Sequence, residues 1–236
     1  MEVHHHPNIE KKNFKEYLLE GLMIFLAVTM GFFAESLREN ITGKEKESEY
    51  ISSLMRDLEK DKAQFKDILE NNKLKIKSLD SLIALAGKDM DKVENRKLLY
   101  QYSSHVSWFS IFLSNDATMS QLKNSGLQFI RHENIADNIG QYDQKIRGLK
   151  PAEELYTRYT NAAADALSEQ MIFSWGDSAV NKDYPLITND KQKLQVFFNK
   201  VKLERAWTNN YVKNLQDRVP YNTKLIELLK KEYHIE

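Results

Sequence analysis

Apolar residues run almost unbroken from Tyr17 to Leu37, YLLEGLMIFLAVTMGFFAESL, and beyond that they recur mostly every third or fourth position. The first pattern has the length of a membrane span; the second is that of amphipathic helices packed on one another. The charge-free core from Gly21 to Ala34 is short, 14 residues, which make ~21 Å of helix against ~30 Å of hydrocarbon. Extension to Tyr17 and Leu37 gives ~31 Å, with Glu20 and Glu35 at the two interfaces, where a charge costs far less than at the bilayer centre. Tyr17 and Arg38 suit the headgroup zone or snorkel to it. Residues 17–37 are therefore read as one transmembrane helix, 1–16 as a short polar tail and 38–236 as a helical domain.

A cleaved signal peptide needs small residues at its cleavage site, whereas Phe32-Phe33-Ala34 presents large aromatics, so an uncleaved signal anchor is expected. Lys11, Lys12 and Lys15 precede the span and Arg38, Lys44 and Lys46 follow it, so positive charge hardly sets its direction. An N-in orientation, with the C-terminal domain periplasmic and the anchor in the inner membrane, is preferred, because a large C-terminal domain translocates largely regardless of charge. At 100° per residue, Glu20, Ile24, Ala27, Gly31, Ala34 and Glu35 fall within about 60° of one direction. Small residues at Ala27 and Gly31 let a second helix approach, and membrane glutamates turn towards protein or water. This face is expected to meet another transmembrane helix, from a second copy or a different protein, while the rest meets the lipid bilayer. That the glutamates are merely interfacial and the small residues incidental stays open.

After the span, Ile51, Leu54, Leu58, Phe65, Ile68, Leu79 and Leu82 keep the 3-4 spacing, with Asp61, Asn72 and Lys75 in the same seam. The pattern predicts a long helix from about 38 to 86, stopped by Gly87. Its polar seam residues either specify register in a dimer or pack on helices of the same chain, and the second is preferred because such stripes also line intramolecular bundles. A returning helix is predicted through Leu98 or Leu99, Tyr102, Val106, Phe109 and Leu113, widened by Trp108 and Phe112 into the centre of the core. A short helix follows, opening at Asn115 or Asp116; with Gly126 as its stop, Leu122 and Leu127 are the pair whose contact accompanies a left-handed glycine cap. Ile135, Ile139, Tyr142, Ile146 and Leu149 predict one more helix up to the Gly148–Pro151 break, and Tyr156, Tyr159, Ala163, Ala166 and Met171 another. Residues 174–188 read as a long loop. Asn189 with Gln192 suggests a capping pair for a last long helix, which Pro220 breaks or kinks. The fold class is all-α: an N-terminal transmembrane helix leading into a long coiled-coil-like stalk helix and an antiparallel helical bundle.

Composition supports this reading. The 236 residues contain 4 Pro and 8 Gly, too little punctuation for a many-turned sheet, and the 200 or so after the span can bury one core. Lys and Arg (34) balance Asp and Glu (34), so no global field argues for nucleic acid as a partner. The absence of cysteine excludes disulfides and thiolate metal sites.

The segments EGLMIFLAVTMGFFAESLRE, YISSLMRDLEKD and LKNSGLQFI resemble single-pass membrane proteins of Bacteroidota grouped as domains of unknown function. The resemblance implies an inner-membrane anchor with a helical extracytoplasmic domain, and it carries no catalytic residues over.

Candidate chemistry is sparse. The sequence contains no His-Glu-x-x-His, phosphate-binding glycine loop, Gly-x-Ser-x-Gly elbow or paired Glu-x-x-His set. His4, His5 and His6 read as a solvated tail, His132 as a capping or surface residue, His105 as a core histidine, and Trp108, Phe109, Phe112 and Phe129 as core packing. No catalytic residue, metal or cofactor is expected. Two functions fit: a membrane-anchored, non-enzymatic interaction or scaffold protein, a subunit of a membrane or envelope assembly; or a ligand-sensing helical bundle that signals through a partner membrane protein.

Overall fold

The computed structural model describes residues 13–125, 127–172 and 183–235, and the chain divides into two units, Met1–Glu49 and Tyr50–Glu236. The fold is all-α, and the one β feature among the described residues is an isolated bridge between Met171 and Leu186. Helix α1 (Phe14–Ile83) supplies residues to each unit.

Within the first unit α1 is solvent-exposed along its apolar length, and none of its most apolar 18-residue window is buried. It is the one helix among the described residues long and apolar enough to cross a membrane. The Thr29 hydroxyl donates to the Phe25 carbonyl at 2.8 Å, so the span's hydroxyl is satisfied inside its own helix.

The second unit is a bundle of α1 from Tyr50 onward with α2 (Val93–Ser103), α3 (Ala117–Ser125), α4 (Glu133–Arg147), α5 (Lys150–Ser168), α6 (Lys191–Gln216) and α7 (Val219–Tyr233). The seam of α1 packs on its own chain, and it visits three apolar clusters in turn. Ile51, Leu54 and Leu58 join Leu122, Ile135, Ile139, Leu225 and Leu229; Phe65 and Ile68 join Phe112, Tyr156, Tyr211 and Leu215; Leu79 and Leu82 join Leu99, Val106, Ala163, Phe197 and Val201. Helices α5 and α6 are antiparallel: Tyr156 stacks on Tyr211 at 4.9 Å and Tyr159 on Trp207 at 5.4 Å, so partners rise along one helix as they fall along the other.

Helix ends follow local chemistry. Gly87, φ 83°, turns the chain after α1 in the left-handed region that a β-carbon disfavours. Asp190, not Asn189, caps α6: its carboxylate accepts from the backbone N–H of Gln192 and Lys193 at 2.9 Å each, while Asn189 donates to Asp91. Pro220 lies in the first turn of α7, where its missing N–H costs nothing, so the break falls between two helices.

The expected returning helix ends early. It stops at Ser103, and after a turn the chain runs without helix, turn or bend from Trp108 to Asp116. Val106 and Phe112 are buried, but Trp108, Phe109 and Leu113 are largely exposed, which corrects their place at the centre of the core. Helical periodicity did not anticipate this because the segment's hydrogen bonds go to distant side chains.

Candidate functional site

Each polar seam position of α1 lies at a junction between apolar clusters and serves the segment 108–115. Lys75 Nζ donates to the Trp108 carbonyl at 2.7 Å, Asn72 Nδ2 to the Ser110 carbonyl at 2.8 Å, and Gln64 Nε2 to the Leu113 carbonyl at 2.8 Å. Gln64 Oε1 accepts the Leu113 N–H at 3.1 Å, and Asp61 Oδ1 accepts the Asn115 N–H at 2.9 Å. From α5 and α6 the Tyr156 hydroxyl accepts the Ser110 N–H at 3.3 Å and the Tyr211 hydroxyl the Phe112 N–H at 2.8 Å. A partly buried segment outside any helix must place its backbone groups somewhere, and here side chains take them. Phe112 anchors it, its ring stacked on Phe65 at 4.4 Å.

Two nodes carry this ladder. In the first, Lys75 and Glu204 pair at 2.8 Å with side chains 1% and 0% exposed, and Nζ also donates to Thr160 Oγ1 at 3.0 Å and lies 4.7 Å from the centre of the Tyr156 ring. Burial lowers the Lys75 pKa against the pull of Glu204; burial also raises Glu204 to about 8 against the opposing effects of Lys75 and Thr160. Both shifts disfavour the charged form of their group, and burial is the first cause of each. Burial likewise pushes the Tyr156 hydroxyl up to about 12. In the second node Asp61 Oδ2 accepts the Tyr142 hydroxyl at 2.7 Å, and Asn222 donates to the Leu58 carbonyl at 3.0 Å. Burial first, and the Asp61 charge second, raise the Tyr142 pKa. A cavity of about 150 Å³ adjoins this node, lined among others by Asp57, Asp61, Asn115 and Tyr142. The Lys75–Glu204 pair is sealed, so a reacting group meets it only if the bundle opens.

The residues singled out from the sequence fall as follows. Glu20, Ile24, Ala27, Gly31, Ala34 and Glu35 are all exposed on α1, and a β-carbon at Gly31 would meet open space. Glu35 forms an ion pair with Arg38 one turn on. Leu122 is buried and Leu127 packs against the same cluster, while Gly126 between them lies outside the described residues. His4, His5 and His6 also lie outside them. His132 precedes α4 without a side-chain capping bond, its ring edge-on to Tyr233, and half-buried His105 sits edge-on to Trp108. Among the described residues no group of three or more His, Asp or Glu is placed to hold a metal ion. Sequence reasoning missed Glu204, whose signal was its position in a stripe: Phe197, Val201, Glu204, Thr208, Tyr211 and Leu215 share one buried face of α6.

No protein-family model, curated protein or solved structure matches the chain.

Proposed function

We propose that this protein is a membrane-anchored, non-enzymatic interaction or scaffold protein, a subunit of a membrane or envelope assembly. The observation that carries the reading is the apolar window of α1, whose residues are left uncovered among the described residues. Left in water, such a surface costs ~25 cal/mol for each Å² of apolar area, and a bilayer removes that cost. The anchor is a single pass through the inner membrane, oriented N-in with the bundle periplasmic. Glu20, Ala27, Gly31 and Glu35 form the face that another transmembrane helix meets, since the space above Gly31 admits a close backbone. Kinship with the Bacteroidota single-pass proteins belongs to the same proposal.

Fractionation tests it. The protein is expected in the membrane pellet through alkaline washing and in the supernatant only after detergent. Release by alkali alone would overturn the anchor, and protease protection of the bundle in spheroplasts would overturn the orientation.

A further inference from the structure

The segment that crosses the bundle has a second edge. On α1 its partners run from Lys75 back to Asp61 as the segment advances from Trp108 to Asn115. The fourteen helical steps from Asp61 to Lys75 cover ~21 Å and seven extended steps ~23 Å, so the segment runs extended and antiparallel to α1. In extended backbone the N–H and C=O of alternate residues point to the same side, a pattern that holds here from Trp108 to Phe112 and ends at Leu113, whose N–H and C=O both meet Gln64. The Trp108 carbonyl, both groups of Ser110 and the Phe112 N–H point at the bundle's side chains. Phe109 and Ile111 therefore point the other way, and among the described residues nothing hydrogen-bonds to their N–H or C=O groups. Phe109 is 41% exposed and Leu113 66%. From Ser107 to Ser114, SWFSIFLS, no residue is charged, so the edge lacks the lysine, proline or inward charge by which proteins blunt exposed strands.

We propose that this edge pairs with the same edge of a second copy of the chain, as a two-fold antiparallel strand pair centred on Ser110. The argument is hydrogen-bond complementarity. In an antiparallel pair, residues that exchange both hydrogen bonds alternate with residues that exchange none. Phe109 opposite Ile111 of the second copy, and Ile111 opposite its Phe109, use all four open N–H and all four open C=O groups of the two edges. Ser110 faces Ser110 at the non-bonded position between them. Each hydrogen-bonded pair sets an aromatic side chain beside a β-branched one, a favourable cross-strand combination. A two-fold axis requires a self-complementary patch, and this edge is one. The pairing uses backbone that the bundle leaves free, so it forms without rearranging the Lys75 or Asp61 nodes.

The test uses the full chain in mild detergent, where the absence of native cysteine gives a clean background. Non-bonded antiparallel pairs hold their Cα atoms ~4.5 Å apart, within disulfide range. Ser110→Cys is expected to form a disulfide-linked dimer on mild oxidation, while Asn199→Cys, exposed on α6, stays monomeric. Ser110→Cys/Ile111→Pro deletes one ladder N–H per chain that the bundle does not use, and is expected to lower the crosslinked fraction about tenfold, with the helical spectrum unchanged. Folded Ser110→Cys that stays monomeric overturns the proposal. So does crosslinking that persists with Ile111→Pro or appears equally at Asn199→Cys, which would place association in the membrane helix instead. Crosslinking in membranes exclusively to a different protein overturns self-pairing in favour of a foreign strand.

Discussion

Replacing Lys75 with methionine isolates the energetics of the buried node. Methionine keeps the apolar stem and deletes the ammonium that touches Glu204 at 2.8 Å, the Trp108 carbonyl at 2.7 Å and Thr160 at 3.0 Å. In the native protein the two pKa shifts act oppositely on stability. Raised Glu204 contributes stability that is lost as pH rises from its unfolded value of 4.5 towards about 8, and lowered Lys75 contributes stability lost as pH falls below 10.5. Lys75 opposes the rise of Glu204, so in the variant the Glu204 pKa climbs beyond about 8. Below pH 8 both proteins hold the Glu204 proton, and the loss is that of Lys75's own hydrogen bonds, chiefly to the Trp108 carbonyl, at about 1–3 kcal/mol. Above pH 8 the native Glu204 ionises beside Lys75 while the variant's stays protonated, and the loss grows by about 1.4 kcal/mol per pH unit. Urea denaturation of the detergent-solubilised protein, followed by circular dichroism, is expected to show a loss about 1 kcal/mol larger at pH 9 than at pH 7. Adding Glu204→Leu should abolish this pH dependence. Equal losses at both pH values, or a pH dependence that survives in the double variant, would show that Glu204 does not govern the difference.

Phe65→Ala removes the ring stacked on Phe112 and is expected to cost about 3–5 kcal/mol, with amide exchange at Phe112 and Leu113 rising more than in α6. Gly87→Ala should lower stability by about 1 kcal/mol through backbone strain alone, since a β-carbon there meets no neighbour. Asp190→Ala should cost about 1 kcal/mol by orphaning two N–H groups of α6, while Asn189→Ala should cost less, measured as urea midpoints on the same preparation. Gly31→Leu should disrupt association through the membrane helix and Phe25→Leu should not, read by crosslinking of Ala27→Cys in each background.

The helical architecture was legible because its signals are local. The exposed apolar run, the α1 seam, the stripes of α4 and α5, and the breaks at Gly87, Pro151 and Pro220 each follow from spacing or from one residue's backbone chemistry. The segment 108–115 was not. VSWFSIFL carries an apolar density that suits a helix as well as a strand, and what decides the matter is Asn72, Lys75, Tyr156 and Tyr211, 33 to 99 residues away. The Lys75–Glu204 node was half legible: its lysine interrupts the α1 seam, but nothing local marks Glu204 as its partner.

The seam residues also show why an apolar stripe can tolerate Asp61, Asn72 and Lys75 without a partner helix from another chain. A purely apolar α1 would bury more surface, yet it would leave the partly buried Trp108 and Ser110 carbonyls and the Asn115 N–H without their partners, at ~1–3 kcal/mol each. Those three bonds come from Lys75, Asn72 and Asp61, so polar residues there offset a cost that apolar ones would incur. The consequence is directional. One edge of the strand is held by side chains, which do not propagate a sheet, and the opposite edge keeps the backbone groups of Phe109 and Ile111 available. A helix in the same place would have closed both edges internally. The polar seam thus ties α1 to the segment 108–115, and it is also the reason an all-α protein carries an extended segment with one backbone edge left open.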